Sequence, residues 1–246
     1  MEYTPPKHIG YFIVLALVVL AYGIGYASTN VYNGLREFKS YDRFVTVKGL
    51  SQKDVTADLA LWPIAYTETG NDLTALQGVM EQRGAAVVTF LKSHGLKDNE
   101  IELQQVSVQD LLAQGYRQEG VEQARYILTQ TYMVRTENVD AVYKSAQHVG
   151  DLIKQGVVLA QGGSGPTYLY TKLNDIKPDM IAQATKNARE AADQFAKDSG
   201  QEVGDIRTAY QGVFQILARD DTYEVSEPQQ VNKTVRVVST IDFYLK

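Results

Sequence analysis

The sequence predicts an α/β domain of two related strand-helix-strand halves, carried behind one N-terminal transmembrane helix. Three observations lead there. Ile9 to Tyr26 reads IGYFIVLALVVLAYGIGY, and no charged residue stands between Lys7 and Arg36. Beyond it, runs alternating apolar and polar residues are interleaved with segments whose apolar residues recur every three or four positions. Two segments also share a pattern: His94-Gly95 leads into Asn99-Glu100-Ile101, and Ser199-Gly200 leads into Gly204-Asp205-Ile206, a weak internal repeat.

Composition narrows the function classes. With 246 residues, 44% of them hydrophobic and 22% charged, the chain can bury a real core and is neither disordered nor polytopic. A net charge of -5 leaves no basic patch to displace counterions, which argues against nucleic acid. The absence of cysteine removes disulfides, thiolate nucleophiles and thiolate metal sites. The three histidines, His8, His94 and His148, are scattered, and no local spacing builds a metal site or histidine-based catalysis from them. No catalytic residue, metal ligand or cofactor is expected.

A hydrocarbon layer of about 30 Å takes roughly 20 apolar helical residues. Ile9 to Tyr26 meets this, with Phe12, Leu15, Leu17 and Leu20 for the lipid and Tyr11, Tyr22 and Tyr26 toward the interfaces. The competing reading is a cleaved signal peptide with Gly25-Tyr26-Ala27 as cleavage site; the apolar stretch exceeds the ~7 to 15 residues usual there. By charge alone, Arg36, Lys39 and Arg43 would keep the domain cytoplasmic. Residues 1–40 are thus an anchor and spacer, either helical on through Val31, Leu35 and Phe38 or broken at Asn33-Gly34, and 41–246 are the folded domain.

The domain is expected to open with a short strand Phe44 to Val47, closed by Gly49. A second strand follows with Val55, Ala57, Leu59 and Leu61 inward, and Pro63 marks an edge or bulge. Asn71 or Asp72 caps a helix through Leu73, Leu76, Met80, Val87 and Leu91, stopped by Gly95. Asn99 to Val108 is a strand whose apolar phase slips, as a bulge at Gln104-Gln105 would make it. Tyr126 to Arg135 is a long strand and Glu137 to Val149 a helix. Val157 to Ala160 and Thr167 to Tyr170 are strands around the Gly162-Gly163-Ser164-Gly165-Pro166 turn. That turn lacks the Lys-Ser/Thr ending and following helix of a phosphate loop. Pro178 fits the first turn of a helix to Ser199, with Ile181, Ala184, Ala188, Ala191 and Phe195 inward. Ile206 to Leu217 and Thr234 to Lys246 complete the sheet.

Two hairpins carry long polar tips, Gln109 to Gln123 and Ala218 to Lys233, and loops of that length inside a compact domain are usually functional or disordered. Tyr116, Arg117, Tyr223 and Glu224 are the candidate contacts between copies of the chain. Asp54 and Asp58, four apart on one strand, would share a face more than about ten Å apart, too far for a paired-acid site.

Val45 to Trp62 (VTVKGLSQKDVTADLALW), Tyr126 to Val157 and the alanine-rich Ala182 to Gly200 together resemble the SIMPL-domain family, which includes bacterial periplasmic immunogenic and oxidative-stress-defence proteins. Thr56-Ala57-Asp58 lacks the proline common there. The resemblance implies an α+β fold of antiparallel sheets with helices on one face, export to the periplasm, and assembly into rings, with no established catalytic residues. It overrides the charge count for orientation. The expected protein is a single-pass inner-membrane scaffold with a periplasmic domain, without catalytic activity, whose partners are itself and membrane lipid, in envelope stress defence. A ligand- or partner-binding envelope module and a soluble periplasmic form are the alternatives.

Overall fold

The computed structural model describes residues 8–40, 43–113, 124–160, 165–220 and 226–246, and the α1 side chains of residues 14, 15 and 17–31. In chain order the elements are α1 (His8–Ser40), β1 (Phe44–Thr56), β2 (Leu59–Gly70), α2 (Leu73–Ser93), β3 (Ile101–Leu103), β4 (Ser107–Asp110) and β5 (Tyr126–Thr136). They continue as α3 (Val139–Gln147), α4 (Gly150–Lys154), β6 (Thr167–Leu169), α5 (Leu173–Asp198), β7 (Val203–Gln211), β8 (Gln215–Ala218) and β9 (Asn232–Leu245). The domain is therefore α+β. One sheet has the order β1-β9-β7, with β8 also on β9; the other has β3-β5-β2-β6, with β4 also on β5. Every pairing with a stated register is antiparallel.

The chain divides into two compact units. One comprises residues 1–51, 181–213 and 238–246, the other 52–180 and 214–237. The first unit is built on small residues. Val47, Ala188, Ala192, Ile241 and Phe243 form its core, and the Arg189 guanidinium lies 4.9 Å from the Phe243 ring centre. Within this unit the buried stripe of α5 is Ala184, Ala188, Ala192 and Ala196, a strict i, i+4 row, while Phe195 is exposed. The expected inward Phe195 is thus corrected: alanine supports both helical phases, and the buried one sets the Ala184 and Ala188 backbone against Gly49 of β1. Gly49 makes that approach possible. A side chain there would run into the Ala184 and Ala188 backbone, and Asn187 Nδ2 donates to the Leu50 carbonyl at 2.7 Å. Gly49 therefore does not end a short strand; β1 continues to Thr56.

The second unit has the larger core: Trp62, Ile64 and Tyr66 of β2, Leu128 and Val134 of β5, Met80, Val87 and Leu91 of α2, Val142 of α3 and Leu152 of α4. The two-residue break at Ala57-Asp58 resets the strand phase, so Ala60, Trp62, Ile64 and Tyr66 face inward rather than Leu61. Pro63 lies in a central strand, yet β6 pairs with β2 only from Leu59 to Leu61, so the proline falls just beyond that cover. The slip near Gln104-Gln105 is present. Leu103 pairs with Tyr132 and Ser107 with Thr129, so four steps on one side match three on the other.

Helix ends follow local chemistry. Asp72 accepts from the Thr74 and Ala75 amides to start α2, and Asn138 accepts from Ala141 to start α3. Gly95 and Gly200 adopt φ of +92° and +70°, conformations that favour glycine. Around them the bonds match: Gly95 N–H to Lys92 and Leu96 N–H to Leu91 close α2, and Gly200 N–H to Lys197 and Gln201 N–H to Ala196 close α5. Two expectations fail. Pro178 stands inside α5, because Leu173 to Lys177 add a turn before it. Residues 157–160 make a single bridge, Tyr66 to Leu159, rather than a strand.

Glu100 ties the end of β5 to the start of α3. It accepts from the Thr136 hydroxyl at 2.6 Å and from the Lys97 amide at 2.8 Å, while Thr136 Oγ1 accepts from the Asn138 amide. Burial raises the carboxyl, but the Thr136 and Lys97 bonds and the Lys97 charge outweigh it, holding it below its ordinary value. A carboxylate lowered by folding stabilises the fold fully above its unfolded pKa of about 4, and the gain disappears as pH falls through the folded value. Thermal melts should show the wild type losing stability on acidification through this range, and Glu100→Gln should flatten part of that slope. An unchanged slope would remove Glu100 from the account.

Candidate functional site

Three adjoining hollows in the second unit form one groove along α3. The apolar hollow, about 160 Å³, lies among Trp62, Ile64, Ala146, Val149, Leu159 and Pro166. The next, about 310 Å³, shares Ala146, Gly165 and Pro166 with it and adds Tyr143, Tyr168 and Gln229. The last, about 580 Å³, shares Tyr143 and Gln229 and is lined also by Thr56, Asp140, Asp220, Gln230, Val231 and Asn232. The residue types are therefore graded along the groove, apolar at one end with amides and carboxylates added at the other, an arrangement that can orient a ligand.

Its walls are fixed from beneath. Val139 and Val142 anchor α3 in the core, leaving Asp140 and Tyr143 outward. Tyr168 is almost fully buried, and burial, with Tyr143 second, pushes its hydroxyl up to about 12, so it stays protonated. At the polar end Gln230 bridges the hairpin base, donating to the Asp220 carbonyl at 2.6 Å and accepting from the Asp220 amide at 3.2 Å. Below it the buried Lys233 ammonium donates to the Glu227 carbonyl at 2.7 Å and to the Glu227 carboxylate. Glu227–Gln229, a short 3-10 turn, is thereby held against β9.

Asp54 and Asp58 do not share a strand face. Asp54 accepts from Thr234 at 2.6 Å, and Asp58, in the β1–β2 connection, accepts from the Thr171 amide and hydroxyl at 2.8 and 3.1 Å. Leu15, Leu17, Leu20, Tyr22 and Tyr26 lie on α1 with 58 to 78% of their surface exposed. The side chains of Tyr11 and Phe12, and the whole of Tyr116, Arg117, Tyr223 and Glu224, lie outside the described residues. Among the described residues no helix is long and apolar enough to cross a membrane; the stretch Ile9 to Tyr26 includes side chains beyond that description. No pattern along the sequence signals the groove, whose lining comes from segments distant in the chain. Nor did it indicate that His94 and His148 would meet, with ring centres 5.7 Å apart.

The model of the SIMPL family, described as a protein of unknown function (DUF541), matches residues 45–243. No curated protein matches the chain.

Proposed function

Because the chain belongs to the SIMPL family, we propose that it is a membrane-anchored scaffold that assembles with copies of itself and holds its folded domain in the periplasm. One observation carries the reading. Between residues 14 and 31 the described side chains of α1 are all exposed, including Val14, Leu15, Val18, Val19, Leu20 and Ile24. A helix apolar all round is stable only when hydrocarbon or protein covers it. With no charge between Lys7 and Arg36, a bilayer is the cover that suits the whole run Ile9 to Tyr26.

Self-assembly draws support from β7. It lies at a sheet edge, exposes Ile206 and Tyr210, and is followed by Val213 at 84% exposure. Open strand edges pair readily with further strands, and contacts between identical subunits close into rings when the rotation permits. The matched bonds after α2 and α5 support reading the fold as two related strand-helix-strand halves. Periplasmic placement and a stress-defence setting rest on the family resemblance.

Light scattering of the full chain in mild detergent should give a large, discrete oligomer; a monomer would refute the scaffold reading. Deleting residues 1–40 should move the protein from the membrane to the soluble fraction. Retention on membranes would refute anchoring by α1. The graded groove favours a second reading, an envelope module that binds a ligand. Native mass spectra would then show a co-purifying molecule, lost on Ala146→Trp, while oligomer size stays constant.

A further inference from the structure

His94 and His148 are the C-caps of α2 and α3. Each holds its Nδ1 against a carbonyl one turn back in its own helix: His94 donates to Phe90 O at 2.9 Å, and His148 to Lys144 O at 2.9 Å. A carbonyl oxygen can only accept, so these bonds call for a proton on Nδ1 of each ring, with Ser93 Oγ also 3.2 Å from His94 Nδ1, and in the neutral imidazole Nε2 then carries the lone pair. Neither Nε2 hydrogen-bonds to a described residue. Histidines that ligate metals almost always present this arrangement, one ring nitrogen donating to a carbonyl or carboxylate and the other binding the ion.

The spacing suits a shared ion. With metal–nitrogen bonds of about 2.1 Å, two imidazoles on one tetrahedral or trigonal ion have ring centres roughly 5 to 6 Å apart. Here they are 5.7 Å apart with planes inclined by 36°. The surroundings favour a cation. The C-terminus of α2 directs partial negative charge to this place. Asp151, in the first turn of α4, donates its amide to the His148 carbonyl at 2.9 Å and presents its carboxylate to Lys154. Lys154 is occupied by that carboxylate at 2.7 Å, and Lys92 by Asp98 at 2.6 Å. His94 is half-buried against Phe90 and His148 is exposed, so the pair is both positioned and open to water.

We propose that His94 and His148 form a two-imidazole site for a divalent transition-metal ion of the Zn²⁺ or Cu²⁺ class, water completing the coordination. Among the described residues no group of three or more ligating side chains is gathered, so the protein supplies two donors. Imidazole nitrogen suits both ions, and Cu²⁺ binds more tightly than Zn²⁺. The site is separate from the membrane and assembly reading and stands without it.

The full chain in mild detergent, titrated with Zn²⁺ by calorimetry, should take up one ion per chain. His94→Gln and His148→Gln should each weaken uptake about tenfold or more, and the double variant should abolish it. With Cu²⁺, electron paramagnetic resonance should show coupling to two imidazole nitrogens. His148 is exposed, so its variant, checked by circular dichroism, decides the matter if His94→Gln fails to fold. No uptake by the wild type, wild-type affinity in the double variant, or loss of uptake only on His8→Gln would each overturn the proposal.

Discussion

Gly49→Ala is expected to destabilise the first unit by about 3 kcal/mol or more, the upper part of the range for forcing atoms into a packed interior. The reason is the identity of the neighbour. An added Cβ meets the backbone of Ala184 and Ala188 rather than a side chain that could swing aside. Relief would require α5 to withdraw from β1, separating Ala188 and Ala192 from Val47, Ile241 and Phe243. Removing the neighbouring methyl should not help, so Ala184→Gly in the same chain should leave the loss in place. Hydrogen exchange can localise the effect: amides of Ala184 to Ala196 should exchange faster, while those of α2 change little. Rescue by Ala184→Gly, or a cost below about 0.5 kcal/mol, the usual range for surface changes, would mean that α5 does not rest on Gly49.

This position also indicates what the sequence could and could not convey. Features decided within a few residues were legible: the Asp72 cap, the stops at Gly95 and Gly200, the alternation of β9 and the slip between β3 and β4. Each depends on local backbone chemistry or on a period longer than its own noise. Gly49 looks like a breaker because glycine locally signals one; its role depends on a helix that arrives far later in the chain. Phe195 looks inward because a large apolar residue dominates a helical pattern, yet four alanines set the buried row. Leu61 looks inward because a two-residue interruption is invisible inside a regular alternation. The groove and the histidine pair lie at the far end of this scale. Their members belong to separate elements, and each element is ordinary when read alone.

The buried ion pair beneath the groove gives the other large effect. Lys233 is fully buried, and its charge is satisfied by the Glu227 carbonyl and carboxylate. Glu227→Ala removes the carboxylate and leaves an ammonium in the interior with the carbonyl alone, a change that typically costs about 3 to 5 kcal/mol. Lys233→Met should cost less, since the Glu227 side chain it frees is 32% exposed and can hydrate. The double variant should recover much of the loss, because an apolar side chain of similar length then fills a site with no charge to satisfy. Trp62 is the single tryptophan and lies in the core of this unit, so urea unfolding followed by its fluorescence reports the relevant transition. The consequence should reach the site. Gln229 ends the 3-10 turn that Lys233 holds and lines two of the three hollows. In Glu227→Ala the amides of Gln229 and Gln230 should therefore lose protection before those of β2. A cost under about 1 kcal/mol, or a double variant no better than Glu227→Ala, would show that Lys233 finds water or another acceptor and does not fix the polar end of the groove.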